Sequence, residues 1–324
     1  MRIIQADALG SLDDYRIVEV PAPSPGPGQV RIRVTACGVG YVDALTALGG
    51  YQVKPRLPNT PGSEVAGVVD AIGEAVTDRF PGERVTTGGG FAEFVLAPSA
   101  QVTPIPDRLS FEQAAISRVD YVTALHGLKD RGRLAPGERL LVFGAAGGVG
   151  SAAVQVGRAL GGYVIAVAST AEKRAFALGN GADAAIDTQE DGWRDRLKAL
   201  TGGKGIDVVY DPVCGPLFQA AFRSLAWNGR HLVVGFVGGP IPALPANLSL
   251  MKGAAMVGVD IRQAGIFEPQ AMRANAEQLR QWFADGTVAP QVGRVFPLEQ
   301  FREALAFART GTGLGKAVLS LGDR

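Results

Sequence analysis

The chain has 324 residues, more than one hydrophobic core usually holds, so its length predicts two domains. Apolar residues make up 47% and charged residues 19%, the composition of an ordinary globular protein. There are 32 Lys and Arg against 31 Asp and Glu, and the formal net charge is +1. Because this balance shows no basic stripe and no acidic tail, it argues against nucleic acid or a membrane surface as the main partner.

Cysteine and histidine are scarce. The chain has two of each, Cys37, Cys214, His126 and His231. These numbers exclude a structural zinc site with four cysteines and argue against a disulfide framework. We interpret both histidines as packing or capping residues, and Cys37 as a small buried apolar residue.

The amino terminus lacks the cationic region, long apolar core and cleavage site of a signal peptide, so we expect a cytoplasmic location. Residues 140–157 carry no charge and have the minimum length of a membrane span. They contain five glycines and lie between Arg139 and Arg158, which favours a strand, a turn and a helix instead. We therefore predict no membrane-spanning segment.

The first third of the chain is typical of a small barrel, because short apolar alternations are separated by Gly- and Pro-rich turns. The predicted strands cover residues 15–20, 30–34, 64–72, 83–86 and 91–97, and a short helix is predicted over 42–48.

After Ser110 the pattern changes. Ser110 and Gln113 have the spacing of a capping box and predict a helix through 117, followed by a second helix over 122–130. Strands and helices then alternate, which predicts a parallel sheet covered on both faces. The strands are predicted over 139–143, 163–168, 184–186, 208–210 and 231–234, and the helices over 148–160, 172–178, 193–200 and 218–226.

The last stretch is mixed, with helices predicted over 270–285 and 298–309 and a closing strand over 316–321. This order predicts a split first domain. Its two parts are residues 1–117 and 263–324, and residues 118–262 form the α/β domain between them.

A glycine-rich turn carries the strongest chemical signal. Residues 141–150 read as a strand that runs into a turn and opens a helix, the context that a dinucleotide-binding turn requires. Glycines let the backbone approach a pyrophosphate, and the helix start offers free N–H groups and a positive dipole end. We assign the cofactor phosphates to Gly144, Ala146, Gly147, Gly148 and Val149.

The second predicted strand of the α/β domain indicates which cofactor is used. In an NAD site an acidic residue about 20 residues after the turn binds the ribose hydroxyl. Here the strand ends at Ser169 and Thr170, and Lys173 and Arg174 follow. A hydroxyl and a cation favour a ribose phosphate, so Ser169 and Lys173 predict NADPH. The alternative is that the cations are ordinary solvated charges at a helix start, beside Glu172.

Taken together, these motifs resemble the medium-chain dehydrogenase/reductase superfamily and, more narrowly, its zinc-free quinone oxidoreductase branch. The resemblance covers essentially the whole chain and depends on residues 36–39, 61–67, 123–124, 144–150, 210–213 and 229–236. It implies an α/β protein with a GroES-like β-barrel domain and a Rossmann domain with a doubly wound parallel sheet, and with the cofactor in the cleft between them.

The resemblance also bears on metal binding. Zinc-dependent members have Cys where this chain has Gly40, and His where it has Ser63, so only Glu64 remains of that ligand set. One carboxylate cannot hold Zn²⁺, which prefers sulfur and nitrogen ligands in a tetrahedral arrangement. We therefore expect no metal ion.

Further site residues follow from the resemblance. Tyr51 lies where relatives place a site tyrosine and is our first candidate for a proton donor, with Tyr121 as a weaker one. Gly40 occupies a catalytic position at which zinc-free relatives often carry Asn. The resemblance also implies that cofactor contacts come from Thr123, Val213, Gly235, Phe236, Val237 and Lys316, although Lys316 as an ordinary solvated lysine is the alternative.

Three functions agree with these residues. The first is an NADPH-dependent quinone oxidoreductase that transfers a hydride without a metal, and the second is a reductase of an enone or enoyl-CoA. A non-catalytic NADPH-binding sensor is a third, different class. A small-molecule quinone or enone is the expected acceptor.

Two polar segments and one apolar segment complete the predictions. Arg118 with Asp120, and Asp260 with Arg262, either form salt bridges between elements or bind a substrate that carries a carboxylate or several oxygens. Relatives are commonly dimers that pair sheet edges, and the apolar, β-prone residues 254–261 are the candidate edge. We therefore expect a homodimer.

Overall fold

The protein is described by a computed structural model over residues 1–322. It consists of two compact units. The barrel unit comprises Met1–Val119 together with the chain from Ala289 onward, and the parallel-sheet unit is Asp120–Val288. The chain thus leaves the barrel unit close to the predicted residue 117. The predicted return at 263 is wrong, because it occurs at Ala289.

The first part of the barrel unit contains seven strands and two helices. The strands are β1 (Arg2–Gln5), β2 (Arg16–Glu19), β3 (Gln29–Val39), β4 (Glu64–Ile72), β5 (Arg84–Thr87), β6 (Phe94–Pro98) and β7 (Thr103–Pro104), and the helices are α1 (Tyr41–Ala47) and α2 (Phe111–Ala115).

The middle of the chain alternates helices and strands. The helices are α3 (Val119–Leu125), α4 (Gly148–Ala159), α5 (Ala171–Gly179), α6 (Trp193–Leu200), α7 (Phe218–Arg223), α8 (Ala246–Lys252), α9 (Ile261–Phe267) and α10 (Pro269–Asp285). The strands are β8 (Arg139–Val142), β9 (Tyr163–Val167), β10 (Ala184–Ile186), β11 (Ile206–Asp211), β12 (Leu225–Val233) and β13 (Ala255–Gly258). A π-helical turn over His126–Arg131 extends α3. The chain ends with β14 (Val292–Pro297), α11 (Phe301–Thr310) and β15 (Lys316–Ser320).

The barrel sheet is organised around β3, which changes partners along its length. Its first half, Gln29–Arg33, pairs with β6, whereas Ala36–Val39 pairs with β15, and β4 runs along the other side. The order is β14-β15-β3-β4-β5-β7. This register places the start of β4 and the start of β15 on either side of the end of β3, where the candidate site lies.

The parallel-sheet unit has the order β10-β9-β8-β11-β12-β13, with every pair parallel. Strands β8 and β9 are mostly buried apolar runs, as expected for a parallel sheet with covered faces, whereas the edge strand β13 is largely exposed. Strands β8 and β11 are neighbours, but they belong to opposite halves of the strand order. Sheets of this kind bind ligands at the carboxyl ends of two such strands.

Helix α10 explains why the return to the barrel unit comes later than predicted. The Lys129 ammonium donates to Asn275 Oδ1 (3.1 Å) and Gln278 Oε1 (2.7 Å) on α10. Asn275 in turn donates to Asp130 Oδ2 at 2.6 Å, and Phe283 packs edge-on against Tyr121. These contacts are long-range, so the amphipathic pattern of α10 could not show which unit it covers.

Most predicted elements are present, within a few residues at their ends. The capping box before α2 is confirmed, because Ser110 Oγ accepts from the Gln113 backbone N–H while Gln113 Oε1 accepts from that of Ser110, each at 3.2 Å. The helix predicted through 226 is too long, since the buried Leu225 already pairs with Ile206. The sequence prediction assigned no element to β1, α8, α9 or β14. Among the described residues, no helix is long and apolar enough to cross a membrane.

Candidate active site

The glycine-rich turn between β8 and α4 has the geometry of an anion cradle. Gly144 has φ 59°, a left-handed conformation that glycine adopts without strain. A Cβ on Gly150 would lie 2.0 Å from the Gly144 carbonyl oxygen, so only glycine lets α4 start this close to the turn. Gly147 caps α4, and the first N–H groups of a helix have no intrahelical partner. The turn therefore presents backbone donors and a positive helix end to a phosphate.

Two further loops meet at this end of the sheet. A Cβ on Gly144 would lie 3.4 Å from Val213 Cγ2, which places the loop after β11 beside the glycine turn. The loop after β12 lies next to it, because Gly238 donates from its backbone N–H to the Val213 carbonyl oxygen at 2.8 Å. Phe236 and Val237 on this second loop are 43% and 47% exposed. Residues predicted from three separate segments are thus brought together.

A buried histidine–aspartate pair shapes the loop after β11. His231 Nε2 lies 2.9 Å from Asp211 Oδ2, and Asp211 Oδ1 accepts from the backbone N–H groups of Val213 (2.9 Å) and Cys214 (2.8 Å). Cys214 has φ 43°, which completes the tight turn. The pair thus holds Val213 beside the glycine turn.

The same residues form a group with metal-ligand types. The donor atoms of Asp211, Cys214 and His231 lie within 4.8 Å of one another. Each is already engaged, since Asp211 and His231 pair and Cys214 Sγ lies 3.4 Å from the Asp211 carbonyl oxygen. Burial raises the pKa of the Cys214 thiol, which opposes formation of the thiolate that a metal needs. The arrangement is therefore a hydrogen-bonded brace.

The second strand, β9, ends as predicted with polar side chains. Ser169 is exposed, and the Thr170 hydroxyl oxygen caps α5 by accepting from the Lys173 backbone N–H at 3.2 Å. Arg174 donates to Asp187 Oδ2 at 2.7 Å and to the Ala168 carbonyl oxygen at 3.1 Å. Arg174 is thus paired with an acid, while a role for Ser169 and Lys173 toward a ribose phosphate stays a prediction.

In the barrel unit, Gly40 and Asp43 form a compact polar corner where β3 passes into α1. Asp43 Oδ2 accepts from the Gly40 backbone N–H at 2.7 Å. Burial raises the pKa of Asp43 to about 6, and the negative charge of Glu64 adds to this shift. The Gly40 N–H, the Lys316 ammonium and the Ser63 hydroxyl act in the opposite direction and lower the pKa. The sequence prediction missed Asp43, although its position three residues after Gly40 is a capping spacing.

Glu64 and Lys316 form a buried ion pair in the same place. Lys316 Nζ lies 2.5 Å from Glu64 Oε1, and the side chains are 6% and 0% exposed. Glu64 Oε2 accepts from the backbone N–H groups of Arg118 (3.1 Å) and Val119 (2.9 Å). The alternative of a solvated Lys316 is therefore wrong. Its predicted cofactor contact has no support from this geometry, which directs the ammonium to Glu64.

These residues do not form a set of zinc ligands. Gly40 has no side chain, and a Cβ there would lie 3.6 Å from Lys316 Nζ. Ser63 offers only a hydroxyl, and the Glu64 carboxylate is already bound by an ammonium. Zinc sites use sulfur, nitrogen and carboxylate ligands together, and a fixed positive charge beside them opposes a second cation.

The two tyrosine candidates lie in different surroundings. Tyr51 is half-buried and follows Gly50 in a bend after α1. Tyr121 is buried on α3, and its hydroxyl donates to Gln155 Oε1 at 3.1 Å. Burial raises the pKa of Tyr121 well above its usual value, with Asp120 adding to the shift. The assignment of Tyr121 as a proton donor to substrate is therefore corrected, because the side chain packs in the core of the parallel-sheet unit.

The remaining predicted residues are placed as follows. Thr123 is half-buried on α3. His126 Nδ1 lies 2.9 Å from Asp130 Oδ2, in the packing role expected for it. Asp260 caps α9 by accepting from the backbone N–H groups of Arg262 (2.9 Å) and Gln263 (3.1 Å). Asp260 and Arg262 thus form a local pair rather than the predicted bridge between elements.

Comparison with known proteins agrees with both units. Residues 26–107 match the alcohol dehydrogenase GroES-like domain family, and residues 148–279 match the zinc-binding dehydrogenase family. A quinone oxidoreductase-like protein 2 homolog from Nematostella vectensis is 36% identical over 88% of this chain and 80% of its own length. The chain belongs to the quinone oxidoreductase branch of the medium-chain dehydrogenase/reductase superfamily.

Other members of this branch and superfamily are similar over most of the chain. A quinone oxidoreductase from Sus scrofa is 36% identical over 86% of this chain and 85% of its own length. The Escherichia coli quinone oxidoreductase complexed with NADPH has a TM-score of 0.89 and 26% identity, and covers 99% of this chain and 100% of its own.

Two further solved structures have other described activities. A NAD-dependent alcohol dehydrogenase has a TM-score of 0.91 at 28% identity, with 99% of this chain and 100% of its own covered. The CurK enoyl reductase has a TM-score of 0.89 at 25% identity, with 98% of each chain covered. The fold is therefore a GroES-like domain with a Rossmann-like parallel sheet, and the protein is an oxidoreductase by family.

Proposed function

We propose that the protein is an NADPH-dependent quinone oxidoreductase that works without a metal ion. The observation that carries this proposal is the buried Glu64–Lys316 pair, which binds the one acidic candidate for a metal ligand to an ammonium. Described relatives in the branch are quinone oxidoreductases, and the Escherichia coli neighbour is complexed with NADPH. Metal-alkoxide oxidation of alcohols has no ligand set to support it here.

The cofactor set consists of residues at the carboxyl ends of the parallel strands. In this proposal the glycine turn and the start of α4 hold the pyrophosphate, and Ser169 and Lys173 hold the ribose phosphate. The nicotinamide end contacts Thr123, Val213 and residues 235–237. Lys316 is left out of this set because its ammonium is bound to Glu64.

NADPH, when bound, supplies the hydride, and the protein supplies position, electrostatics and a proton. Tyr51 is the proposed proton donor, since a phenol can donate to an oxygen on which negative charge develops. Gly40 leaves open the space that a side chain would fill beside Asp43 and Lys316, so the acceptor can approach closely. The Glu64–Lys316 pair fixes the wall of that space.

An acceptor panel tests this proposal. The protein, purified without chelator, is mixed with NADPH or NADH and a quinone, an enone or an enoyl-CoA, and loss of the reduced nicotinamide absorbance is followed. We expect faster turnover with NADPH and a quinone, unchanged by added chelator and without bound zinc in elemental analysis. Loss of turnover on chelation with recovery on zinc addition would contradict metal-free catalysis.

A reductase of enones or enoyl-CoA is the second candidate, and it is favoured by the similarity to the CurK enoyl reductase. The same panel separates the two, because turnover of the enone in preference to the quinone identifies this activity. Binding of NADPH without turnover of any acceptor would instead identify the sensor function.

A homodimer is also proposed, through the edge strand β13 of the parallel sheet. One side of β13 pairs with β12 and the other is an open edge in the described sheet. Met256 on β13 is 55% exposed, and Trp227, Leu250 and Met251 on β12 and α8 are 73%, 83% and 69% exposed. Open edges with exposed apolar side chains favour pairing with another strand.

A further inference from the structure

The backbone N–H of Arg118 is hydrogen-bonded, but within residues 1–322 its guanidinium forms no ion pair. Its backbone N–H donates to Glu64 Oε2 at 3.1 Å, and the next N–H, of Val119, donates to the same oxygen at 2.9 Å. The other Glu64 oxygen is bound to Lys316 Nζ. Both oxygens of Glu64, the acid whose charge acts on Arg118, are therefore occupied, and no carboxylate within residues 1–322 lies at ion-pair distance from the Arg118 guanidinium.

The surroundings of this guanidinium are partly dry. Although Arg118 is an exposed residue, the protein packed around its guanidinium removes enough water to lower its pKa, and the Glu64 carboxylate opposes that shift. An arginine remains charged under such conditions. A cation that has lost part of its hydration without gaining a partner favours an anionic ligand.

The position of the guanidinium places it beside the proposed acceptor space. A Cβ on Gly88 would lie 3.3 Å from Arg118 Nη1 and 3.6 Å from the Ser63 carbonyl oxygen. Gly88 thus makes room for the guanidinium next to Ser63, at the edge of the corner formed by Gly40, Asp43 and Lys316. All of these residues belong to the barrel unit.

We propose that Arg118 binds an anionic group of the acceptor, so that the substrates are quinones or enones carrying a carboxylate or a sulfonate. This inference rests on the proposed function and assigns its substrate class. The planar guanidinium fork matches two oxygens of such a group in a bidentate contact. Arg118 is a specificity residue and takes no part in the hydride or proton step.

The phosphates of the cofactor are the other possible source of anionic oxygen. The observations favour the acceptor, because Arg118 Nη1 lies beside Gly88 and Ser63, and Ser63 precedes Glu64, whose pair with Lys316 borders the proposed acceptor space. The experiment therefore measures cofactor affinity separately from acceptor preference.

The test compares a naphthoquinone sulfonate with the uncharged naphthoquinone in the wild type and in Arg118→Leu. The readout is the ratio of kcat/KM for the two acceptors, so differences in their intrinsic reactivity cancel between enzymes. We expect Arg118→Leu to lower this ratio by about 10- to 100-fold, mainly through KM for the sulfonate. Arg118→Lys should keep an intermediate ratio because it retains charge but loses the fork.

A matched control removes the same charge elsewhere in the barrel unit. Arg309→Leu, on an exposed arginine in the last turn of α11, should leave the ratio as in the wild type. An unchanged ratio in Arg118→Leu overturns the inference. So does a weaker NADPH dissociation constant in Arg118→Leu with no change in the ratio, since it assigns the anion to the cofactor.

Failure of the proposed function is recognised separately, because it means that neither acceptor is turned over. In that case binding of naphthalene sulfonate and naphthalene is measured by calorimetry on the NADPH-loaded protein. Tighter binding of the sulfonate that is lost in Arg118→Leu supports the anion site even then. Equal binding of the two compounds, or no effect of the substitution, overturns it.

Discussion

Lys316 Nζ lies 2.5 Å from Glu64 Oε1 in the interior of the barrel unit, and the two residues are 252 positions apart in the chain. The pair joins the first residue of β15 to the first residue of β4, on either side of the end of β3. Through its second oxygen, Glu64 also fixes the backbone at Arg118 and Val119, where the chain leaves the barrel unit.

Breaking this pair should be costly. Lys316→Met leaves the fully buried Glu64 carboxylate without its ammonium, and we expect a loss of about 3–5 kcal/mol in the free energy of unfolding. Urea denaturation measures it. Adding Glu64→Gln to Lys316→Met should recover part of the loss, because the uncompensated charge is gone. A loss below about 1 kcal/mol would show that the pair behaves like an exposed one.

Asp43 should make stability depend on pH. Its pKa is about 6 in the folded protein against the usual 3.8, so between these values the folded state binds more protons than the unfolded chain. The contribution of Asp43 to the free energy of unfolding therefore falls as pH rises from about 4 to 6, by up to about 3 kcal/mol, and stays low above pH 6.

Asp43→Asn is the matched variant, because its amide oxygen can still accept from the Gly40 N–H. We subtract the free energy of unfolding of Asp43→Asn from that of the wild type. This difference should become more negative as the pH rises from about 4 to 6. Urea titrations at a series of pH values provide the difference, in which the other acids cancel. Parallel curves for the two proteins would refute the assignment.

Two substitutions in the glycine turn compare a tightly packed position with an open one. Gly150→Ala puts a methyl group 2.0 Å from the Gly144 carbonyl oxygen, so α4 must move and we expect a loss of about 1–3 kcal/mol. Gly147→Ala meets nothing closer than 3.5 Å and should fold normally. Thermal unfolding measures both.

The affinity for NADPH gives a second measurement on the same two glycine variants. Fluorescence titration should show weaker NADPH binding for Gly150→Ala, because displacement of α4 takes its N–H groups away from the phosphates. Normal stability and normal NADPH affinity in Gly150→Ala would mean that the close approach of α4 to the turn is not required.

The open edge of β13 leads to a prediction about assembly. Met256→Lys places a charge on an exposed apolar edge, which disfavours strand pairing between copies. We expect a dimeric mass for the wild type in light scattering at micromolar concentration and a monomeric mass for the variant, with unchanged circular dichroism. A monomeric wild type would exclude the proposed dimer.

The sequence determined the fold class and the position of the glycine-rich turn because these depend on local patterns. Alternating strands and helices, the capping box at Ser110 and Gln113, and glycines at the start of α4 act over a few residues, and periodicity and turn chemistry report them directly. That Gly40 and Ser63 stand where zinc-dependent relatives carry ligands was an implication of the family resemblance.

Only the tertiary structure showed that Glu64 is paired with Lys316. Lys316 reaches Glu64 through the pairing of β15 with β3 and of β3 with β4, a long-range register that no local pattern encodes. The same holds for the return of the chain at Ala289, which follows from hydrogen bonds between α10 and Lys129. Tyr121 was misassigned because its burial depends on Gln155 and Phe283, which are distant in sequence. Contacts between distant segments therefore determine which polar residues face a ligand and which stabilise the core.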